Sequence, residues 1–385
     1  MTTSAANQHN TINTLAVEPV LFLAFELCSK GNWKLAFTIG PGQKPRMRSV
    51  TPRDTDAVER EIALAKKRFK LPEDCRVVSC YEAGRDGHWL HRFLHCIGVE
   101  NIEVDSSSIE VNRRKRRAKT DRLDATKLVS MLIRWFAGED KVWSIVQVPS
   151  DEDEDARQLE RELATLRDSS TELTNSIKGV LVAQGIWIKS IGNDFPAWLR
   201  KARRWDGTPV REQLGIRVLC KIQRLELVRD QIKALEKRRK QQLKEGASKA
   251  AEKARKLHRL KAIGPVASMV FSTEMFAWRT FNNRKEVGSI VGLTGTPFQS
   301  GGPGRDQGID KAGIKHVRKI AIDIAWGWVR YQPESALTRW FQERFAENGK
   351  RQRKIGIVAL ARKLIIALWR WVEQDVLPDG AVLKA

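Results

Sequence analysis

Between residues 20 and 136 short apolar runs alternate with turn residues in an order that few folds accept. The first run, VLFLAFEL at Val20–Leu27, is too short for a helix and too continuously apolar for a surface strand, so it reads as a buried strand. Lys34–Ile39 and, beyond the turn at Pro41–Gly42, Arg46–Thr51 extend it into an antiparallel meander. Asp54 or Thr55 can cap a helix running to about Phe69, with Ala57, Ile62, Ala65 and Phe69 on its apolar face. Arg76–Tyr81 (RVVSCY) is a second buried strand, Trp89–Cys96 a helix, Asn101–Val104 a strand, and a last helix runs from near Thr120 to about Phe136.

The order β-β-β-α-β-α-β-α is that of a ribonuclease-H-like, RuvC-like fold, in which the first and fourth strands are parallel neighbours. Four acids fall at telling places in it. Glu26 ends the first strand and Glu82 the fourth, so on this fold they emerge side by side at one sheet edge. Asp121 and Asp124, in KTDRLDA, open the last helix three residues apart and share one of its faces. Each taken singly is ordinary, since acids favour the first turn of a helix. Converging, four hard oxygen donors suit two Mg²⁺ ions, which can clamp the attacking and leaving oxygens of a phosphodiester.

Asn112–Lys119 (NRRKRRAK) precedes that helix with Arg113, Arg114, Lys115, Arg116, Arg117 and Lys119 and no acid. Beside a metal site, this run and Arg122 read as a phosphate clamp, which positions a backbone without reading sequence. The whole chain carries 69 Lys and Arg against 46 Asp and Glu, a net charge of +23, so its partner is a polyanion, DNA first among them. Cys28, Cys75, Cys80, Cys96 and Cys220 have no C-x-x-C spacing and are odd in number, which speaks against a zinc ribbon or disulfide framework and for a reducing cytoplasm. No apolar run is long enough for a membrane helix, and the polar start lacks a signal-peptide core. We therefore expect a cytoplasmic, nucleoid-associated protein with no membrane partner.

Four regions follow. Residues 1–18 are a polar lead expected to be disordered, and 19–150 form the RuvC-like domain. Residues 151–256 open on DEDED and carry Leu159, Leu163, Leu166 and Leu173 at helical spacing. A spacer with Trp187, Trp198 and Trp205 then leads to a second long helix over about Glu212–Lys256. Together they form a helical or coiled-coil arm suited to self-association, or a plain bundle within one subunit. Residues 257–385 are mostly helical, with a glycine-rich loop at Gly295–Gly308. LHRLKAIGPVASMVF has the shape of a helix-hairpin-helix, in which the amide of Gly264 would meet a phosphate.

LAFEL, YEAG, KTDRLDA and GLTGTPFQSGG…IDKAGIKHVRK together resemble the insertion-sequence family one-ten, the DEDD transposases or bridge-RNA recombinases, from about residue 20 to 345. The resemblance implies that Glu26, Glu82, Asp121 and Asp124 bind metal and that Ser300, in a C-terminal transposase domain, is the nucleophile. It further implies a covalent phosphoserine–DNA link, a homo-oligomer (dimer or tetramer), and a non-coding bridge RNA that chooses target and donor DNA. Two departures stand out: the family's first acid is often Asp where this chain has Glu26, and Ala262 replaces the glycine before the Ile-Gly of the hairpin. Chemically, a serine hydroxyl needs a base or a metal, and the nearest following histidine, His316, is well downstream. Gly301, Gly302 and Gly304 would let the loop backbone near a phosphate, and Arg305, Lys311, Lys315 and Arg318 could neutralise it. Other readings stay open: a RuvC-like nuclease or junction resolvase in which water attacks, or a non-catalytic nucleic-acid-binding relative.

Overall fold

The computed structural model describes residues 18–384 apart from 29, 111–120, 193 and 299–304, and leaves out the side chains of 121–122, 297–298 and 305–307. The lead at 1–17 thus lies outside the described residues, and so does the basic run Arg113–Lys119. The chain divides into two compact units, Met1–Val148 and Pro149–Ala385.

The first unit is a five-stranded mixed sheet with helices on both faces. Its elements are β1 (Val20–Glu26), β2 (Trp33–Thr38), β3 (Arg46–Val50), α1 (Thr55–Arg68), β4 (Arg76–Glu82), α2 (Trp89–Cys96), β5 (Glu100–Val104) and α3 (Asp121–Phe136). The strand order is β3-β2-β1-β4-β5. β1 pairs antiparallel with β2 and parallel with β4, as the sequence order requires. Asp54 caps α1 by accepting from the Ala57 amide at 2.9 Å.

Because side chains alternate across a strand, the two faces carry separate cores. Leu21, Leu23 and Phe25 of β1 and Val77 and Tyr81 of β4 pack with Val58 and Ile62 of α1 and Leu90 and Leu94 of α2. Phe22 and Ala24, with Val78 and Cys80, face the other way and meet Ala125, Leu128, Val129 and Leu132 of α3. Burying both faces explains why β1 is an apolar run rather than an alternating one.

The second unit is mostly helical. It begins with α4 (Asp151–Ala156) and α5 (Gln158–Val182), followed by α6 (Phe195–Lys201) and α7 (Glu212–Glu245). α5 and α7 pack on each other as a helical hairpin. Ile177 and Leu181 meet Val218, Ile222 and Leu225, with Ile186, Ile188, Ile191 and Phe195 of the connection closing the end. Deeper in the hairpin, Glu160 and Arg239 are both buried and stand 3.5 Å apart, at the limit of a hydrogen bond. Burial pushes the Glu160 carboxyl up to about 7, against the pull of Arg239.

The long helix expected to reach Lys256 stops at Glu245, and α8 (Lys249–His258) starts afresh. Ser248 accordingly caps α8 by accepting from Ala251 at 3.2 Å. A Cβ at Gly246 would crowd the Gln242 carbonyl, so the chain can turn only with glycine there.

The rest comprises α9 (Pro265–Phe271), which continues as a π-helical turn at Ser272–Phe276, and α10 (Arg284–Ile290). The strands β6 (Gly295–Phe298) and β7 (Arg305–Ile309) precede α11 (Lys315–Tyr331), α12 (Ala336–Phe341) and α13 (Lys350–Gln374). Leu257, Phe271, Val291, Val317, Trp328, Leu360 and Leu364 share one core. Among the described residues no helix is long and apolar enough to cross a membrane.

Candidate active site

Glu26 and Glu82 are adjacent. The parallel register pairs Phe25 with Tyr81, which puts the two glutamates side by side at the ends of β1 and β4. Both continue the even-numbered rows, Phe22–Ala24 and Val78–Cys80, that face α3. Glu26 is half-buried and Glu82 is exposed.

α3 runs opposite to these strands. Its last residue, Phe136, stacks edge-on against Phe22 at 5.2 Å and lies under the Arg76 guanidinium at 5.1 Å, both at strand starts. Halfway along, the Cys80 thiol reaches the Leu128 carbonyl at 3.8 Å. From that contact Glu82 is two strand residues onward, about 7 Å, and Asp124 is four helix residues onward, about 6 Å. The strand carboxylates and the start of α3 are therefore level at one end of the sheet. At 100° per residue, positions 121 and 124 fall within about 40° of Leu128 around the helix, on the side facing the sheet. The Asp121 and Arg122 side chains lie outside the described residues. Among the described residues no three His, Cys, Asp or Glu side chains gather closely enough to hold a metal ion.

A residue that sequence reading passed over holds this edge in place. Glu103 of β5 is 1% exposed, accepts from the Tyr81 hydroxyl at 2.6 Å, and meets His88 Nδ1 at 2.9 Å. It thereby ties the residue before Glu82 to the start of α2. On the same side of β4, the Ala83 amide donates to the Val104 carbonyl at 2.8 Å and Ser106 donates to the Ala83 carbonyl at 2.9 Å. Burial, and then the Glu103 carboxylate, raise the Tyr81 phenol above its ordinary value. The only sequence signal was an acid at an inward position of a buried strand.

In the second unit the glycine-rich loop is partly a β-hairpin, with Phe298 paired to Arg305. Ser300, Gly301, Gly302 and Gly304 lie in the link 299–304, outside the described residues, as does the Arg305 side chain. The hairpin base is tightly built. Gly292 has φ +66° and any Cβ there would collide with the Ala312 carbonyl; Gly313 has φ +82° and a Cβ would collide with the Ile290 carbonyl. The Asp310 amide donates to Thr294 at 3.0 Å and the Ile314 amide to Ile290 at 2.9 Å. Arg318 stands beneath and donates to the carbonyls of Val291 at 3.0 Å and Ala312 at 3.1 Å. Lys311 and Lys315 are exposed beside it.

His316 is half-buried, and burial is the main cause of its lowered basicity. Its Nε2 is buried without a hydrogen-bond partner. The charges that act on it are those of the buried Glu274 and of Lys319, Arg167 and Asp168, which lie nearer the surface. Gly264 caps α9 with φ −84°, while the unusual backbone belongs to Ala262, at φ +73°.

Comparison with known proteins agrees with the motifs. Residues 254–339, which include the hairpin, match the family described as Transposase IS116/IS110/IS902. The chain is 37% identical over 376 residues to a candidate transposase, y4rJ, of Sinorhizobium fredii, with 94% of each chain covered. A second S. fredii candidate transposase, y4qE, is 28% identical over 260 residues, 67% of this chain and 60% of that one. The transposase of insertion sequence element IS1533 from Leptospira borgpetersenii is 35% identical over 109 residues, 28% of this chain and 30% of that one. The chain belongs to the IS110/IS116/IS902 family of transposases, whose members act in DNA transposition.

Proposed function

We propose that the chain cuts and rejoins DNA through a carboxylate metal site in the first unit and Ser300 in the second. The observation that carries this reading is the levelling of Glu26, Glu82 and the start of α3 at one end of the sheet. That sheet order is the one a ribonuclease-H-like, RuvC-like domain requires. The donors fit hard divalent cations: Glu26, Glu82, Asp121 and Asp124 would hold two Mg²⁺, with carboxylate oxygen as the ligand atom throughout. Bound there, the ions supply charge stabilisation at the phosphate and lower the pKa of an oxygen nucleophile.

The chain's own groups then act as follows. The Ser300 oxygen attacks phosphorus and forms an O–P bond while one P–O bond to deoxyribose breaks. The serine proton leaves to solvent or an acceptor at the site, and the departing deoxyribose oxygen takes up a proton. Reversal by a different strand's hydroxyl re-forms a phosphodiester and frees the serine, so joining needs no external energy source. The basic residues of 113–119 and Arg122, close in sequence to Asp121 and Asp124, with Arg305, Lys311 and Lys315 in the second unit, would neutralise DNA phosphates, and the Gly264 amide would donate to one. Arg318 would act chiefly through the hairpin base it binds. We further propose that the active species is a homo-oligomer, because the acids and the serine belong to separate units, and that a bridge RNA selects the DNA.

The test is a labelled transposon-end DNA incubated with protein and Mg²⁺, then denatured in detergent. The wild type should give a protein–DNA adduct and Ser300→Ala none. Cutting that persists without an adduct in Ser300→Ala would assign the attack to water and the chain to the RuvC-like nucleases. RNA co-purifying with the protein and encoded beside its gene is the expected guide, and its absence would remove the bridge RNA from the mechanism.

A further inference from the structure

A cavity of about 1130 Å³ opens in the second unit between α10, the β6–β7 hairpin and α13. Its rim is cationic. α13 contributes Lys350, Arg351, Lys354, Arg362 and Lys363, α10 adds Arg284 and Lys285, and Lys311 stands at the hairpin's foot. Its lining includes no acid, and none of these cations takes part in the ion pairs of the described residues. The floor is apolar, formed by Leu293, Ile309, Ile355, Val358 and Ile366, with Trp340 at one side under Lys363 at 4.6 Å. Ile355 is 49% exposed, a large aliphatic side chain facing solvent within a ring of charge.

Like charges around one cavity repel, and an anion from outside offsets that repulsion. The α13 cations run from Lys350 to Lys363, about 20 Å of helix, which several consecutive phosphates can span and a single phosphate cannot. A duplex would offer these cations its phosphates but keep its bases stacked away from the floor. A single strand offers both: phosphates for the rim, and unstacked base faces for the aliphatic and indole surfaces below. The lining also has no side chain able to accept a hydrogen bond from a ribose 2′-hydroxyl, the group by which proteins distinguish RNA.

We infer that this groove binds single-stranded DNA, with its backbone along α13 and its bases on the Ile355–Val358–Ile366 floor. Resting on the reading of Ser300 as nucleophile, the groove would take up strand opened beside the hairpin that carries it.

The experiment titrates full-length protein carrying Ser300→Ala, without Mg²⁺, against labelled oligo(dT), oligo(U) and a mixed-sequence duplex at several salt concentrations. Without chemistry the assay reads binding alone, and the groove's share is the difference between parent and variants, so failure of the serine mechanism leaves its result intact. Adding Lys350→Ala, Arg351→Ala and Lys354→Ala together should weaken oligo(dT) binding at least tenfold and flatten the log–log salt slope by about 2, given about 0.7 per phosphate contact. Ile355→Gln should weaken oligo(dT) several-fold, leave the salt slope unchanged and spare the duplex. Lys350, Arg351, Lys354 and Ile355 are exposed, and a melting midpoint within a few degrees of the parent verifies folding. Undiminished oligo(dT) binding by the triple variant would overturn the site. An Ile355→Gln effect equal on duplex and single strand would overturn the base-stacking floor. Oligo(U) binding tighter than oligo(dT), and lost in the triple variant, would make the occupant RNA.

Discussion

The two candidate halves of the chemistry are built in opposite ways. At the sheet end, regular elements do the positioning: parallel pairing sets Glu26 beside Glu82, and a straight helix packed in the opposite direction brings Asp124 level with them. At the hairpin, irregular backbone does it, through two left-handed glycines pressed on carbonyls and an arginine bound beneath. Regular packing tolerates an altered ligand side chain, because hydrophobic rows carry the fold. The hairpin tolerates little at its base, because sterics and shape are one thing there.

The largest contrast should come from Asp124→Asn. It should lower Mg²⁺-dependent cutting by on the order of 10³-fold, several kcal/mol of transition-state stabilisation, while the melting midpoint stays put. Activity within tenfold of wild type would remove Asp124 from the site. Gly292→Ala tests the other half. Left-handed strain and the clash with Ala312 should together cost about 3 kcal/mol, seen as a lowered denaturation midpoint with loss of the protein–DNA adduct. A well-folded, active Gly292→Ala would show that the hairpin base can relax.

Smaller effects separate the arm from the hairpin. Glu160 has its carboxyl raised from 4.5 to about 7 by burial, so between those pH values the folded chain holds a proton that the unfolded chain has lost. Its contribution to stability is present below about pH 4.5 and disappears as pH rises through about 7. Wild type should therefore melt progressively lower relative to Glu160→Gln as pH climbs from 5 to 8, by a few degrees; the reverse trend would mean that Arg239 outweighs burial. Smallest is Ala262→Gly. Relieving a left-handed alanine should raise the denaturation midpoint, a gain of about 1 kcal/mol; a lowered midpoint would show that the Ala262 methyl, which packs toward Gly327, outweighs the strain.

The same contrast decides what could be read from residues alone. The sheet, its helices and the placing of Glu26, Glu82 and Asp124 follow from periodicity, which is local and repeats. Periodicity does not reveal the break at Gly246, because Ala250, Ala254 and Leu257 keep helical spacing from Leu243 across it, and what stops the helix is a crowded carbonyl and a new serine cap. β6 and β7 look like loop in the sequence because glycine hides strand alternation, and the tight base beneath them is set by the Ile290 and Ala312 carbonyls against Gly313 and Gly292, which no spacing shows. Glu103 was invisible for a related reason: its partners Tyr81 and His88 come from a neighbouring strand and a helix start, so no spacing announces them.

One consequence of the sheet's architecture concerns timing. The acids belong to β1, β4 and the first turn of α3, so the set reaches from the first strand to the last helix of its unit. A chain emerging from the ribosome carries Glu26 early and Asp124 only after the rest of the sheet has been made. No nascent or truncated piece that ends before α3 holds the full set of ligands. If the four acids are the metal ligands proposed above, the order of elements would work as an interlock, with no cutting of DNA until the unit is whole.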